Sequence, residues 1–431
     1  MRTFFWRPWV AVGLCSAGLL SPSYAHDTFN IALNLADALD AAWAQSPQSQ
    51  AHTNRKAELT ARSAAAQALF AGPPRLGFVH RTDRIGSRAG LRDYEAELAV
   101  PLWNPGVRQP AQGAASADQW LFEGQQRAAK LRLAGQLREL AALVALQHSE
   151  FDVADHKLID AHVLAQDVAR RYRAGDVARV DSLQAQTQVY QAELLKAQAQ
   201  NQLTLLQTQW AALTGEATVS VLDESLGVPG PSSTISAAAA LTSVTSSPSS
   251  LSSLPTPHPL ATEARAGVEA ALARLALAQA DQRDPVELGV GLARDRSADG
   301  APPNSSLRLA LRIPLGTDQR NAAKLAAARA ELDAQQARAD AVTRQLQAAI
   351  QAAEASLANA RSTEAVATQR ALVSAEVQTL IAKSYRLGQS DLPTRLRAEH
   401  EKYDADLTLY RARTEVRIAI SRLNQAYGLL P

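Results

Sequence analysis

The sequence repeats itself at an offset of 213 residues. Tyr172-Arg173-Ala174-Gly175 returns as Tyr385-Arg386-Leu387-Gly388, and the same offset carries Pro101 onto Pro314, Leu183 onto Leu396, Tyr190 onto Tyr403 and Gly215 onto Gly428. A register held from Pro101 to Gly215 without a net insertion describes one structural unit duplicated in tandem, so the fold has to be assembled from two copies. The expected repeats are 26–215 and 260–431. Between them, 216–259 is dominated by Ser, Pro and Thr, as in Ser246-Ser247-Pro248-Ser249-Ser250, which predicts an exposed linker.

The first 25 residues stand apart from both repeats. Arg2 and Arg7 precede an apolar run from Val10 to Leu20 that ends in Ser23-Tyr24-Ala25. A basic start, a short apolar middle and small residues before the break predict a secretory signal peptide, residues 1–25. The run is shorter than the roughly 20 apolar residues that span a bilayer. Cleavage removes two of the 44 basic residues and no acid, leaving 42 against 42 acidic residues. That neutrality argues against nucleic acid as a partner. Cys15 and Met1, the only residues of their kinds, leave with the same segment. A disulfide scaffold and soft sulfur ligands for Cu(I) are thereby excluded. No later window is apolar and long enough for a membrane helix, so membrane insertion would require a β-barrel.

Most of the remaining chain is rich in Ala, Gln, Leu and Arg. Leu137, Val144, Phe151, Leu158, Ala165 and Tyr172 fall seven residues apart, as do Leu325, Leu332, Ala339, Leu346, Ala353, Ala360 and Ala367. These heptads predict coiled-coil helices over about 105–174 and 318–387. Asn104-Pro105 supplies an N-cap and a first-turn Pro, and Gly175 a C-terminal stop. About 70 residues at 1.5 Å each make a rod of roughly 100 Å. A second helix follows each tip glycine, about Val180–Leu213 and Leu392–Tyr427, and a shorter one opens each repeat, about Leu35–Phe70 and Leu260–Ala280.

Between opening helix and rod, each repeat carries a predicted β-hairpin, about 75–102 and 286–315. Leu307, Leu309, Leu311, Ile313 and Leu315 alternate with Arg308 and Arg312; Tyr94, Leu98, Val100 and Leu102 lie opposite Glu95 and Glu97. One apolar and one charged face suit a barrel with a wet lumen and a lipid-facing exterior. They equally suit a soluble hairpin packed on a helix. Four strands cannot close a barrel, so closure would take several chains.

The ordered set of signal, duplicated hairpins, long helices and tips resembles the TolC-like outer-membrane efflux proteins. The residues carrying it are Leu35-Ala36-Asp37-Ala38-Leu39 before Pro47, the junctions Val100-Pro101-Leu102-Trp103-Asn104-Pro105-Gly106 and Ile313-Pro314-Leu315-Gly316, and Arg171-Tyr172-Arg173-Ala174-Gly175 with the following Val180-Asp181-Ser182-Leu183-Gln184-Ala185. The resemblance implies a mostly α fold with a small β part. It implies a homotrimer with a 12-stranded barrel in the outer membrane of a Gram-negative bacterium and a helical tunnel in the periplasm. The implied partners are a periplasmic adaptor and an inner-membrane pump of the RND type, and the channel would be a passive duct without catalysis or cofactor.

The tip turns, with Tyr172, Arg173, Gly175, Tyr385, Arg386 and Gly388, are the expected adaptor-docking end. The glycines also serve any long helix that must stop. The resemblance implies that Asp181 bonds Tyr385, a link this chain can form. A companion Thr–Arg link is ruled out by Val180 and Ser390. Where drug exporters of this family carry two inward Asp, this chain has Thr394 and Arg397, and across the repeats Gln184 stands opposite Arg397. Arg397 therefore reads either as a positive constriction or as a solvated residue paired with Glu401. His148, Asp152, His156 and Asp160 recur at i+4. They offer metal-ligating chemistry, but each step drifts about 40° around a helix, so a solvated polar stripe is the plainer reading. Trp103 and Tyr94 suit interfacial aromatics or simple packing.

The function expected from these features is the exit channel of a tripartite efflux system. The alternative is a periplasmic coiled-coil adaptor or structural protein that stays out of the membrane. Compact length and no lipid anchor lean towards the CzcC-type branch and metal cations as cargo, with drugs, dyes and proteins open.

Overall fold

A computed structural model describes residues 34–220, 223–227, 258–315 and 318–431. The segment expected as a signal peptide, residues 1–25, and most of the Ser/Pro-rich stretch lie outside the described residues. Eleven elements follow in order: α1 (Leu35–Gln45), α2 (Pro47–Gln67), β1 (Arg75–Thr82), β2 (Arg92–Leu102), α3 (Arg108–Ala174), α4 (Arg179–Thr214), α5 (Pro259–Ala280), β3 (Val286–Arg296), β4 (Asn304–Arg312), α6 (Asp318–Arg386) and α7 (Leu392–Ala426). The two rods, α3 and α6, run 67 and 69 residues.

Two helix boundaries differ from the sequence reading. The opening helix expected over Leu35–Phe70 is two helices, because Ser46 is extended (ψ 142°) and its hydroxyl accepts from the Ser49 amide to start α2, with Pro47 in its first turn. Asn104 does not cap α3, which begins later, at Arg108. Its amide group is buried and donates to the Arg283 carbonyl at 2.9 Å and the Asp284 carbonyl at 3.1 Å. Those carbonyls follow α5, so a tertiary tie between the repeats outcompeted the local cap.

The helices lie side by side with α3 at the centre. It packs along α4, α5, α7 and α2, whereas the substantial contacts of α6 are with α7 and α5. Small residues allow the approach: Ala128, Leu131, Ala134 and Leu137 of α3 are wholly buried, and a Cβ on Gly124 would lie 3.2 Å from the Glu263 Cα of α5. In α6 the seven-residue seam is kept at Leu346, Ala353, Ala360 and Ala367, all buried. In α3 it holds at Leu137 and Val144, then passes to Ala161, Leu164 and Val168, leaving Tyr172 exposed.

A belt encloses the middle of the bundle. Leu35, Ala38, Leu39 and Ala42 of α1 pack on Ala134, Leu137 and Ala141 of α3, Trp210 of α4 and Ile418 of α7. Trp210 is fully buried and donates its indole N–H to the Thr218 carbonyl at 3.1 Å. Arg138, also buried, holds the Glu224 carboxylate at 2.7 Å and donates to Gln425 and the Leu429 carbonyl. The start of the stretch expected as an exposed linker is therefore packed where it is described. Ser220 is buried, the Gly227 amide donates to Asn424, and Asn424 donates to the Ser225 carbonyl. Composition missed this because Glu224 finds its cation 86 positions away.

The strands form one antiparallel sheet in the order β1-β2-β3-β4, with β2 and β3 joining the two hairpins. One face carries Leu76, Phe78, Tyr94, Leu98, Leu288, Val290, Leu292, Leu307, Leu309 and Leu311, all exposed. On the other, Arg308 pairs with Glu95, Arg312 with Glu97 at 2.9 Å and Glu287 at 3.6 Å, and Arg75 reaches Glu287 at 2.8 Å. Strands β1 and β4 each leave an unpaired edge.

Candidate functional site

Both rods end the same way. Gly175 (φ 86°) and Gly388 (φ 73°) adopt the left-handed conformation that glycine takes without a Cβ penalty. The Asp176 amide donates to the Arg171 carbonyl and the Gln389 amide to the Ser384 carbonyl, at 2.9 and 3.0 Å. These six-to-one bonds satisfy carbonyls that the helix ends would otherwise orphan.

The two tip tyrosines then part company. Tyr385 is 4% exposed and packs with Leu164 and Val168 of α3, Ala185 of α4 and Leu392 of α7. The Arg171 and Arg395 guanidinium carbons each lie 5.0 Å from its ring centroid. Arg171 is steadied by Asp167 at 3.4 Å and Arg395 by Glu399 at 3.1 Å. Burial pushes the Tyr385 hydroxyl up in pKa, and among the described residues it has no hydrogen-bond partner. Tyr172, its counterpart, is 42% exposed.

The expected Asp181–Tyr385 bond is not formed. Asp181, at the third position of α4, accepts from the backbone amide of the N-cap residue Ala178 at 3.3 Å, the half of a capping box that does not need an N-cap side chain. At the matching place in the second repeat Asp391 caps α7 itself, accepting from the Thr394 amide at 3.1 Å. The Ser390 hydroxyl is buried without a partner among the described residues. Arg397 is exposed and makes no ion pair with Glu401; the Asp391 carboxyl is held below its usual pKa mainly by its hydrogen bonds to Thr394, with Arg397 adding a smaller pull. Gln184, Arg173 and Arg386 are exposed, Arg173 donating to the Ala169 carbonyl of its own helix.

The polar stripe on α3 does not converge. His148 meets Asp152 at 2.9 Å, His156 bonds the Asp152 backbone carbonyl, and Asp160 accepts from the Tyr403 hydroxyl. No cluster of three or more potential metal ligands occurs among the described residues. Sequence reasoning missed the residues that join the two hairpins: Arg171 and Arg395 about Tyr385, Asp160 with Tyr403, and Gln188 with His400 at 2.9 Å. A signal was present in the mismatches of the repeat, since Arg171 and Arg395 fall on Ser384 and Ser182. No described helix is long and apolar enough to cross a membrane.

No family model matches the sequence, and no curated protein matches it. Solved structures do. A membrane protein from Pseudomonas aeruginosa superposes with a TM-score of 0.71 at 18% identity, over 92% of this chain and 90% of that one. The outer membrane protein VceC of Vibrio cholerae gives 0.68 at 17%, over 91% and 96%. The open state of the Neisseria gonorrhoeae MtrE outer membrane channel gives 0.64 at 15%, over 92% and 89%. At these identities the likeness is one of fold, and the fold is the TolC-like one that the sequence resemblance implied.

Proposed function

We propose that three copies of this chain form the exit channel of a tripartite efflux system in the outer membrane. The observation that carries the reading is the sheet: an exposed face that is apolar from Leu288 to Leu292 and across the neighbouring strands, an ion-paired opposite face and two free edges. Soluble proteins seldom leave such a patch to water. In lipid the apolar face is satisfied, and β4 of one copy must pair with β1 of the next, since no backbone edge survives in hydrocarbon. Three copies give 12 strands around a lumen lined by Glu95, Glu97, Glu287, Arg308 and Arg312. The helices continue as a periplasmic tunnel, and the channel fold of the structural relatives supports this arrangement.

The tip is the gate and adaptor-docking end, with Tyr172, Arg173, Gly175, Tyr385, Arg386 and Gly388 at its turns. Within a copy, the Arg171–Tyr385–Arg395 stack holds the two hairpins together. The equivalent seat for Tyr172 would lie on the partner subunit. Adding 213 to Leu164 and Val168 gives Val377 and Ile381, which lie on α6 beside its exposed Leu372, Val373 and Leu380. Ser384 and Ser182 replace the arginines there, so the seam between copies is the weaker one and opens first. Asp181, Gln184, Thr394 and Arg397 lie near this constriction, with Arg397 as its cation. Cargo is delivered by an adaptor and an RND-type pump, and metal cations are the proposed cargo.

Membrane fractionation tests the reading. The protein should resist alkaline carbonate, need detergent for extraction and run as an oligomer until heated; a carbonate-soluble monomer would sink it. Deletion of the gene should sensitise cells to divalent metals. Unchanged metal tolerance with drug hypersensitivity would reassign the cargo and leave the channel standing.

A further inference from the structure

The apolar face of the sheet does not stay apolar to its far end. Beyond Phe78, Ala96 and Leu292, the strand register brings His80 beside Tyr94, Tyr94 beside Arg294, and Arg92 beside Arg296. His80 and Tyr94 stack with centroids 4.4 Å apart. Three arginines thus occupy two neighbouring rungs of one face, Arg92 and Arg296 directly opposite each other. Like charges in such positions repel, and diagonal neighbours sit only roughly 7–8 Å apart.

The acids next to them in sequence do not neutralise them. In Arg92-Asp93 and Arg294-Asp295-Arg296 the pleat sends Asp93 and Asp295 to the opposite face, where they oppose each other. Of the loop acids, Asp83 accepts from the Ser87 hydroxyl and from the Ala89 and Leu91 amides. Asp299 pairs with Arg296. The Arg92 and Arg294 guanidinium groups are exposed and have no side-chain hydrogen bond or ion pair among the described residues. Between the strands on this face runs a groove of about 370 Å³ lined by Phe78, Tyr94, Ala96, Leu292, Arg294 and Ser305. It is apolar along its floor and ends at a cation and a hydroxyl.

We propose that this groove binds a phosphate-bearing lipid of the outer leaflet. Acyl chain lies along Phe78 and Leu292, Tyr94 marks the interface, and the phosphate sits between Arg92 and Arg294. The inference rests on the barrel reading, which turns this face to lipid and its far end away from the periplasmic helices. An amphiphile explains both halves of the groove, the dry floor and the segregated cations. A lipid phosphate also relieves the repulsion that the register builds in.

The full-length protein is purified in neutral detergent, and native mass spectrometry follows its titration with diphosphoryl lipid A and with the same lipid lacking phosphate. The wild type should retain the phosphorylated form preferentially. Arg92→Gln with Arg294→Gln should weaken that binding about 25-fold, since each cation at an anionic surface contributes about fivefold. Arg92→Lys with Arg294→Lys should keep it, as should Arg81→Gln on the opposite face. Equal binding of the two lipids, or an equal loss from Arg81→Gln, would overturn the lipid site. Insertion into liposomes is scored on the same samples: a protein that inserts without lipid preference refutes only this site, and one that never inserts refutes the channel reading with it.

Discussion

The two repeats share their backbone and differ in what surrounds it. Tyr172 is 42% exposed and its echo Tyr385 is 4%; Tyr190 is 62% exposed and its echo Tyr403 is 8%. Leu183 is exposed, while Leu396 packs beneath Tyr385. In each pair the second copy is covered because α7 lies against α3 inside the chain, whereas α4 lies at an edge. Elsewhere on the rods an echo runs the other way: Val153 of α3 is buried and Val366 of α6 is exposed, and α6 also leaves Leu372, Val373 and Leu380 exposed. One edge thus lacks what the other offers. In the proposed trimer each duplicated unit would be a third of the ring, and the uncovered junction would be the one repeated between copies.

The sharpest break in the comparison is at the belt. Arg138 is buried against Glu224, while its echo, Gln351, is exposed. Glu224→Ala leaves a buried unpaired guanidinium and should cost about 3–5 kcal/mol in denaturant unfolding. Gln351→Ala should stay within about 0.5 kcal/mol. Similar losses for both would remove the distinction between the repeats. Next in size is Tyr385→Ala, expected to cost about 3 kcal/mol, read as faster hydrogen exchange at the α6–α7 tip. Tyr172→Ala should leave exchange within a copy unchanged and weaken the oligomer instead.

Removing the cations alone is milder. Arg171→Ser with Arg395→Ser gives the internal seam the residues of the other one. About 0.5–2 kcal/mol per arginine is lost, and single-channel conductance in planar bilayers should rise several-fold. Unchanged conductance would take the stack out of the gate.

The smallest effect is a pH dependence at the belt. His258 is buried, which lowers its pKa, and its Nδ1 accepts from the Leu260 amide at the start of α5. A histidine depressed in the folded state is stable when neutral. Its contribution is complete above the unfolded value near 6.5 and is lost as pH falls below it. The melting temperature should therefore drop between pH 7.5 and 5.5, and His258→Asn, an acceptor that does not titrate, should flatten part of that slope.

Much of this fold is legible in the sequence because it is local or periodic. The glycine stops, the alternating strands and the heptad of α6 each depend on a few adjacent residues. What was not legible depends on partners far along the chain. Asn104 satisfies local rules for a cap, yet two carbonyls after α5 claim its amide group. Asp181 matches a family link in position, but its carboxylate turns back to the backbone amide of Ala178. The break at Ser46-Pro47 is local, a capping hydroxyl followed by a first-turn Pro, and outweighs the helical composition on either side. Arg171 and Arg395 gain meaning only once folding brings Tyr385 between them.

In the proposed assembly the exposed edge of one copy is covered by the next. Cys15 is the one cysteine of the sequence and falls in the expected signal segment, so cleavage there would leave no competing thiol. Tyr172→Cys with Ile381→Cys, treated in membranes with a short bismaleimide, measures that contact directly. Covalent dimers and trimers are expected on a denaturing gel, absent from either single variant. A double variant that stays entirely monomeric, while modified at both thiols, would contradict this arrangement.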